Sequence, residues 1–352
     1  EWAAATSASL AATTSGAYPQ QVPSQATGPV AVVTGAATNQ DAYEQRLARL
    51  TVLVDRLQQK VGVVDGPPGA PAAEAAPKPS DLSAQIVSSA AIAARSSGEF
   101  EDQLRHLAGL GVDVKIDHIL GALGRQLPGW TLRTPEGDVT PVPGEKRLEA
   151  MQRIVELSSD IEEQARRLFQ LIRAANEQFN AGALTQAVTM LGVAERIIAE
   201  NRLPPERVNT ILAHAHESLS EQQLSAAATS VDKQPLLRRM LGFFPAYGPE
   251  RLLFALRDEA RRDRRQLYLA LLRIHGTAVR SLALHNLALC VQGDMLDNEG
   301  YFRRNLVVLL RRIPAESDEG IDREILLLSR AVDLREPLIL IKEALGALAA
   351  MR

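Results

Sequence analysis

The stretch RQLYLALLRI at residues 265–274 has two later counterparts, RNLVVLLRRI at 304–313 and KEALGALAAM at 342–351. Each opens with a cation, carries apolar residues at helical spacing and closes on Ile or Met. Their first residues, Arg265, Arg304 and Lys342, lie 39 and 38 positions apart (304 − 265 and 342 − 304). A recurrence of that length predicts one helical hairpin per period, stacked so that neighbouring units bury each other's apolar faces. The expected fold is all-α, and its first product is a surface rather than a catalytic pocket.

Working outward, apolar periodicity predicts helices near 236–244, 249–260, 264–275, 277–291, 299–313, 321–334 and 337–351. The alternation resembles HEAT repeats, carried by Arg265, Leu267, Leu271 and Ile274, by Arg304, Leu306, Leu310 and Ile313, and by Lys342, Ala344, Leu348 and Met351. Asp263 stands where that family has its turn aspartate. The resemblance implies a HEAT-like α-solenoid over 233–352, with Arg265, Arg304 and, conservatively, Lys342 as the ladder-forming cations. Two departures stand out: Pro314 closes the second copy where Gly276 closes the first, and the segment before Glu299 is long. The last helix ends on Ala347, Leu348, Ala349, Ala350 and Met351, which is not a polar cap. The expectation is that more chain follows or that another chain covers this face.

Residues 145–232 read as helical hairpins: a long amphipathic helix over 145–180, a break at Gly182, a return helix over 184–200 and a third from Pro204–Pro205 to about Leu224. Leu171, Ala174, Ala175, Gly182, Ala187, Leu191 and Ala194 resemble one tetratricopeptide unit. That motif's Trp, Tyr and closing Pro are missing, Gln178 and Ala199 standing at the last two places. Residues 224–235 read as a polar junction.

Residues 1–40 are rich in Ala, Thr, Ser, Gly, Pro and Gln with one charge, a composition that predicts a disordered tail. A short helix over 41–63 follows. Tyr43, Leu47, Leu50, Val54, Leu57 and Val61 form a heptad seam that either pairs with another chain or docks on the body. Residues 64–80 form a Pro- and Gly-rich linker, and 81–144 a small helical region broken near 96–98 and at Gly111. Within it, 130–133 and 139–142 read as a packed connector, with a small β-hairpin as the alternative.

Hydrophobic residues make up 46% of the 352-residue chain and aromatics only 4%, so the core must be Leu, Ala, Val and Ile, which suits helices. Cys290 is the single cysteine, which excludes an internal disulfide and a cysteine zinc site. The expected setting is the cytoplasm, with no transmembrane segment. Gly66-Pro67-Pro68-Gly69 lacks the Lys-Ser/Thr of a phosphate-cradling loop. His214 and His216 are two apart, the wrong spacing for a helical ligand pair, and Ser281 near His285 has no elbow motif. Asp294, Asp297 and Glu299 do not match a calcium loop. No catalytic residue, cofactor or metal is assigned.

The charge is uneven. From Leu236 to Ile313 there are 14 arginines and 7 acidic residues, while both flanks are net negative. Arg238, Arg239, Arg261, Arg262, Arg264, Arg265, Arg303, Arg304, Arg311 and Arg312 are the candidates for a basic surface that attracts an acidic partner. The opposing reading is a solvated face with intramolecular ladders. The leading expectation is a non-catalytic protein–protein interaction scaffold, tethered or oligomerised through its heptad helix. The alternatives are nucleic-acid binding through the basic segment, and a subunit of a larger assembly.

Overall fold

Short local signals start many of the helices in the computed structural model. It describes Ala48 and residues 51–52, 78–128, 144–200, 202–292, 301–315, 321–332 and 336–351. These comprise α1 (Pro79–Ala93), α2 (Ser97–Gly109), α3 (Ile116–Arg125), α4 (Glu145–Glu156), α5 (Ile161–Asn180), α6 (Leu184–Ala199), α7 (Pro205–Ala215) and α8 (Glu221–Thr229). There follow α9 (Gln234–Phe243), α10 (Pro249–Asp258), α11 (Arg262–His275), α12 (Thr277–Gln292), α13 (Tyr301–Arg312), α14 (Ile321–Arg330) and α15 (Leu338–Ala350). Among the described residues there is no strand. Proline occupies the first turn of α1, α7, α9 and α10, where its missing N–H costs nothing. Ser96, Asp160 and Ser220 cap α2, α5 and α8 by accepting from Glu99, Glu163 and Gln223 amides.

Gly182 ends α5 with φ of 88°. Its amide donates to Phe179 O and that of Ala183 to Gln178 O, a pair of bonds that satisfies the last carbonyls and turns the chain sharply into α6. Leu171, Ala175, Ala187, Leu191 and Ala194 are all buried between the two helices, so the hairpin expected here forms.

The single helix expected over 145–180 is two helices. Asp160 supplies a competing N-cap, and the carbonyls freed at the end of α4 are taken by Arg167: its Nη1 donates to Ile154 O at 2.9 Å and Leu157 O at 3.0 Å. The helix expected from Pro204 to Leu224 is likewise interrupted, by a 3-10 turn at His216–Ser218. Here Asn176 Nδ2 donates to Ala215 O and Ser218 Oγ, while Asn180 donates to Ser218 O and accepts from the Ser220 amide. The junction expected at 224–235 contains α8, with Leu224, Ala227 and Ala228 buried.

The helices fall into two rows. In one, α1, α4, α6, α9, α11, α13 and α15 pack each on the next; in the other, α3, α5 and α7 continue through the 3-10 turn Pro245–Tyr247 into α10, α12 and α14. Tight cross-row pairs are α5 with α6, α10 with α11 and α12 with α13. All belong to one compact unit, Leu47–Arg352, and share a continuous apolar core from Ala84 to Ala347. Burying each large side chain contributes about 1.5–3 kcal/mol. Rare aromatics gather where the rows pass from α7 to α10: Phe243 and Phe244 meet edge to face at 5.0 Å, and Tyr247 lies edge-on to His216 at 5.8 Å.

The heptad seam of Tyr43, Leu47, Leu50, Val54, Leu57 and Val61 lies outside the described residues, as do the tail at 1–40, the connector at 130–142 and the acidic loop at 293–300. Ala48, Thr51 and Val52 are helical, and Thr51 Oγ1 sits 3.3 Å from His106 Nε2 on α2. No helix among the described residues is long and apolar enough to cross a membrane.

Candidate functional site

The ten arginines of the basic segment do not form one uncompensated face. Five are paired with glutamates of neighbouring elements: Arg239 with Glu195 at 3.6 Å, Arg264 with Glu221 at 2.9 Å, Arg303 with Glu336 at 2.6 Å, and Arg304 and Arg311 with Glu343 at 3.5 and 2.7 Å. Four of these pairs run along the first row, from α9 to α6 and from α13 to α15 or the turn before it, and the fifth joins α11 to α8, so they tie elements of the chain together rather than await a ligand. The two most exposed, Arg239–Glu195 and Arg264–Glu221, contribute about 0–1 kcal/mol each.

Arg265 and Arg238 serve helix ends. Arg265 Nη1 donates to the carbonyls of Glu259 and Ala260, just past α10, and its guanidinium lies 5.4 Å from the Tyr301 ring centre on α13. Arg238 Nε donates to Ile274 O at 2.5 Å, in the last turn of α11. Arg261, Arg262 and Arg312 are exposed and have no side-chain partner among the described residues. Lys342 is exposed on α15.

A cleft of about 300 Å3 lies where α9, α11 and α13 end their shared side of the row, lined by Arg238, Arg273, His275, Thr277, Arg312 and Ile313. Gly276, which separates α11 from α12, also lines it and has φ of 68° and ψ of −134°, a conformation open to glycine and strained for any other residue. His275 Nε2 is 2.9 Å from Tyr247 O, so the ring donates to that carbonyl. Burial pushes its pKa down; the Tyr247 bond opposes this and Arg238 adds to it. His275 is therefore a structural histidine, as a turn position suggests. Burial and the nearby Glu221 push the Tyr247 hydroxyl up to about 12.

Arg273 is not among the candidate arginines, because it stands apart from the clusters of adjacent cations. A second signal was present in the repeat: Arg273 and Arg312 are both the ninth residue of their copies. Stacking of α11 on α13 brings equivalent positions to the same cleft.

Two other concavities are built differently. A groove of about 470 Å3 on the first row is lined by Leu148, Val188, Gly192, Leu236 and the Glu195–Arg239 pair. A third, of about 370 Å3, contains Ser80, Asp117, His118, Arg125, Arg173 and Glu177. There Asp113 Oδ2 lies 2.6 Å from His118 Nδ1, and this bond lowers the Asp113 pKa. Both partners are about half-exposed, and no hydrogen bond joins His118 to Ser80, so the pair is an ordinary surface contact. Comparison with protein-family models, with curated proteins and with solved structures returned no match to this chain.

Proposed function

We propose that the chain is a HEAT-like α-solenoid acting as a non-catalytic scaffold that binds a partner protein along its first helical row. The observation that carries this reading is the next-but-one packing of α9, α11, α13 and α15, the contact order expected of stacked hairpins. The mixed apolar and charged groove at Leu148, Val188, Leu236 and Arg239 supplies a recess of the kind a helical segment or loop occupies. In this proposal the protein works in the cytoplasm, and the Thr51–His106 contact holds the N-terminal helix against the body. The nucleic-acid alternative is weaker, because five of the ten candidate arginines are spent on glutamates of this chain.

Affinity capture with the full chain tests the scaffold reading when paired with Leu236→Glu/Arg239→Glu, a variant of the groove rim. A partner retained by the wild type and lost from a variant with unchanged circular dichroism supports it. Identical recovery from both chains, or none from either, removes it.

A further inference from the structure

We propose that the cleft between α9, α11 and α13 binds a phosphate monoester, with Arg238, Arg273 and Arg312 as its guanidinium ligands. Three successive members of one helical row each contribute one arginine to a recess of about 300 Å3. Among the described residues no carboxylate lines that recess, and none of the three arginines has an ion-pair partner. Elsewhere in the basic segment Arg239, Arg264, Arg303, Arg304 and Arg311 are neutralised by glutamates. Part of the unbalanced charge of residues 236–313 thus meets in one concavity, the arrangement that raises local anion concentration.

The geometry suits phosphate rather than diffuse attraction. Arg238 is anchored through Nε to Ile274 O, which leaves its terminal nitrogens free to donate. Its Nη2 lies 3.4 Å from where a Cβ on residue 276 would stand, so glycine there keeps the guanidinium close to the turn. Thr277 begins α12 and lines the cleft, and amides in a helix's first turn have no acceptor within the helix. Fork-shaped guanidinium groups match the oxygens of a phosphate and form strong charge-assisted bonds to it. Three cations call for a dianion, which a terminal monoester is and a backbone diester is not. Among the described residues the lining holds no exposed large apolar side chain, so a bilayer has nothing there to embed against. That lining favours a phosphate carried on a protein side chain over one carried on a lipid. This inference stands apart from the scaffold reading, because phosphate binding is measured without any partner.

The test is a titration of the full isotope-labelled chain with inorganic phosphate, followed by the amide resonances of Gly276 and Thr277 at constant ionic strength and above neutral pH. Saturable shifts are expected, with binding about tenfold or more weaker in Arg273→Gln/Arg312→Gln. Both side chains are exposed, so that variant keeps its fold, and Arg262→Gln, which removes an unpaired cation not among the cleft's lining, leaves binding unchanged. A phosphoserine peptide is expected to compete, whereas vesicles containing phosphatidic acid are not. Non-saturating shifts, or equal binding by the double variant, overturn the proposal. Dimethyl phosphate or duplex DNA binding as well as phosphate also overturns it, in favour of a diester site. By sequence Glu316, Asp318 and Glu319 follow the cleft residue Ala315. Phosphate uptake only after their replacement by Gln, Asn and Gln would show that the chain's own carboxylates are the occupant, and would overturn it too.

Discussion

Arg280 on α12 and Glu324 on α14 form an ion pair with both side chains inside the protein, at 7% and 4% exposure. Arg280 also donates through Nη1 to the carbonyls of Leu310 and Ile313 at the end of α13. One guanidinium therefore joins three helices of the repeating segment. Arg167 does the same between α4 and α5, at 4% exposure, with Glu163 as its acid. In both, the arginine is held by a carboxylate and closes the C-terminal end of a neighbouring helix.

Removing Arg280 strands the Glu324 charge and two carbonyls. Arg280→Met is expected to destabilise the protein by about 3–5 kcal/mol, because the buried carboxylate loses its counterion. The double change Arg280→Met/Glu324→Leu is expected to recover much of that loss. Urea unfolding of the two variants checks this. A double variant no better than the single one refutes the buried pair.

Asn176 is fully buried and its amide donates to Ala215 O and Ser218 Oγ across to the turn after α7. Asn176→Ala removes both bonds, leaving Ala215 O only the Ser218 hydroxyl as donor, and is expected to cost about 1–3 kcal/mol. Hydrogen exchange should locate the damage, with amides near 216–224 losing protection before those of α5 itself. Uniform loss throughout the unit contradicts this account of the turn.

Gly124 on α3 lets that helix approach α5 and α6 closely. A Cβ there would lie 2.6 Å from Met190 Sδ and 3.3 Å from Gln178 Cγ. Gly124→Ala is expected to destabilise by about 1–3 kcal/mol through overpacking. This outweighs the roughly 1 kcal/mol that alanine gains over glycine inside a helix. A raised urea midpoint in this variant would contradict the close approach.

His275 makes part of the stability depend on pH. Its folded pKa is lowered, mainly by burial, so the fold favours the neutral ring. That stability is complete above the unfolded pKa of about 6.5 and declines as the pH falls below it, where the unfolded chain takes up the proton first. His275→Gln keeps a donor for Tyr247 O and has no proton to gain. Its urea midpoint should fall less than the wild type's on acidification through this range. Parallel curves for the two proteins would rule His275 out as the titrating group.

Helix positions were largely legible. The expected bounds 236–244, 264–275 and 277–291 fall within about two residues of α9, α11 and α12, since apolar period, proline and glycine are local signals. The break between α4 and α5 was not. Leu148, Ile154, Ile161 and Leu168 keep one apolar stripe straight through it, and the periodicity says nothing of the turn. Arg167, whose reach back to Ile154 and Leu157 completes the break, reads in sequence as one more charge on a solvated face.

Sequence alone determined that this chain is helical, where most of its helices start and stop, and that its net positive segment lies between 236 and 313. Only the tertiary structure decided which of those cations are already matched and which three meet unmatched in one cleft. Helical periodicity is a property of neighbours along the chain. Charge pairing is set by side chains from helices tens of residues apart, and the packing of the rows brings those together.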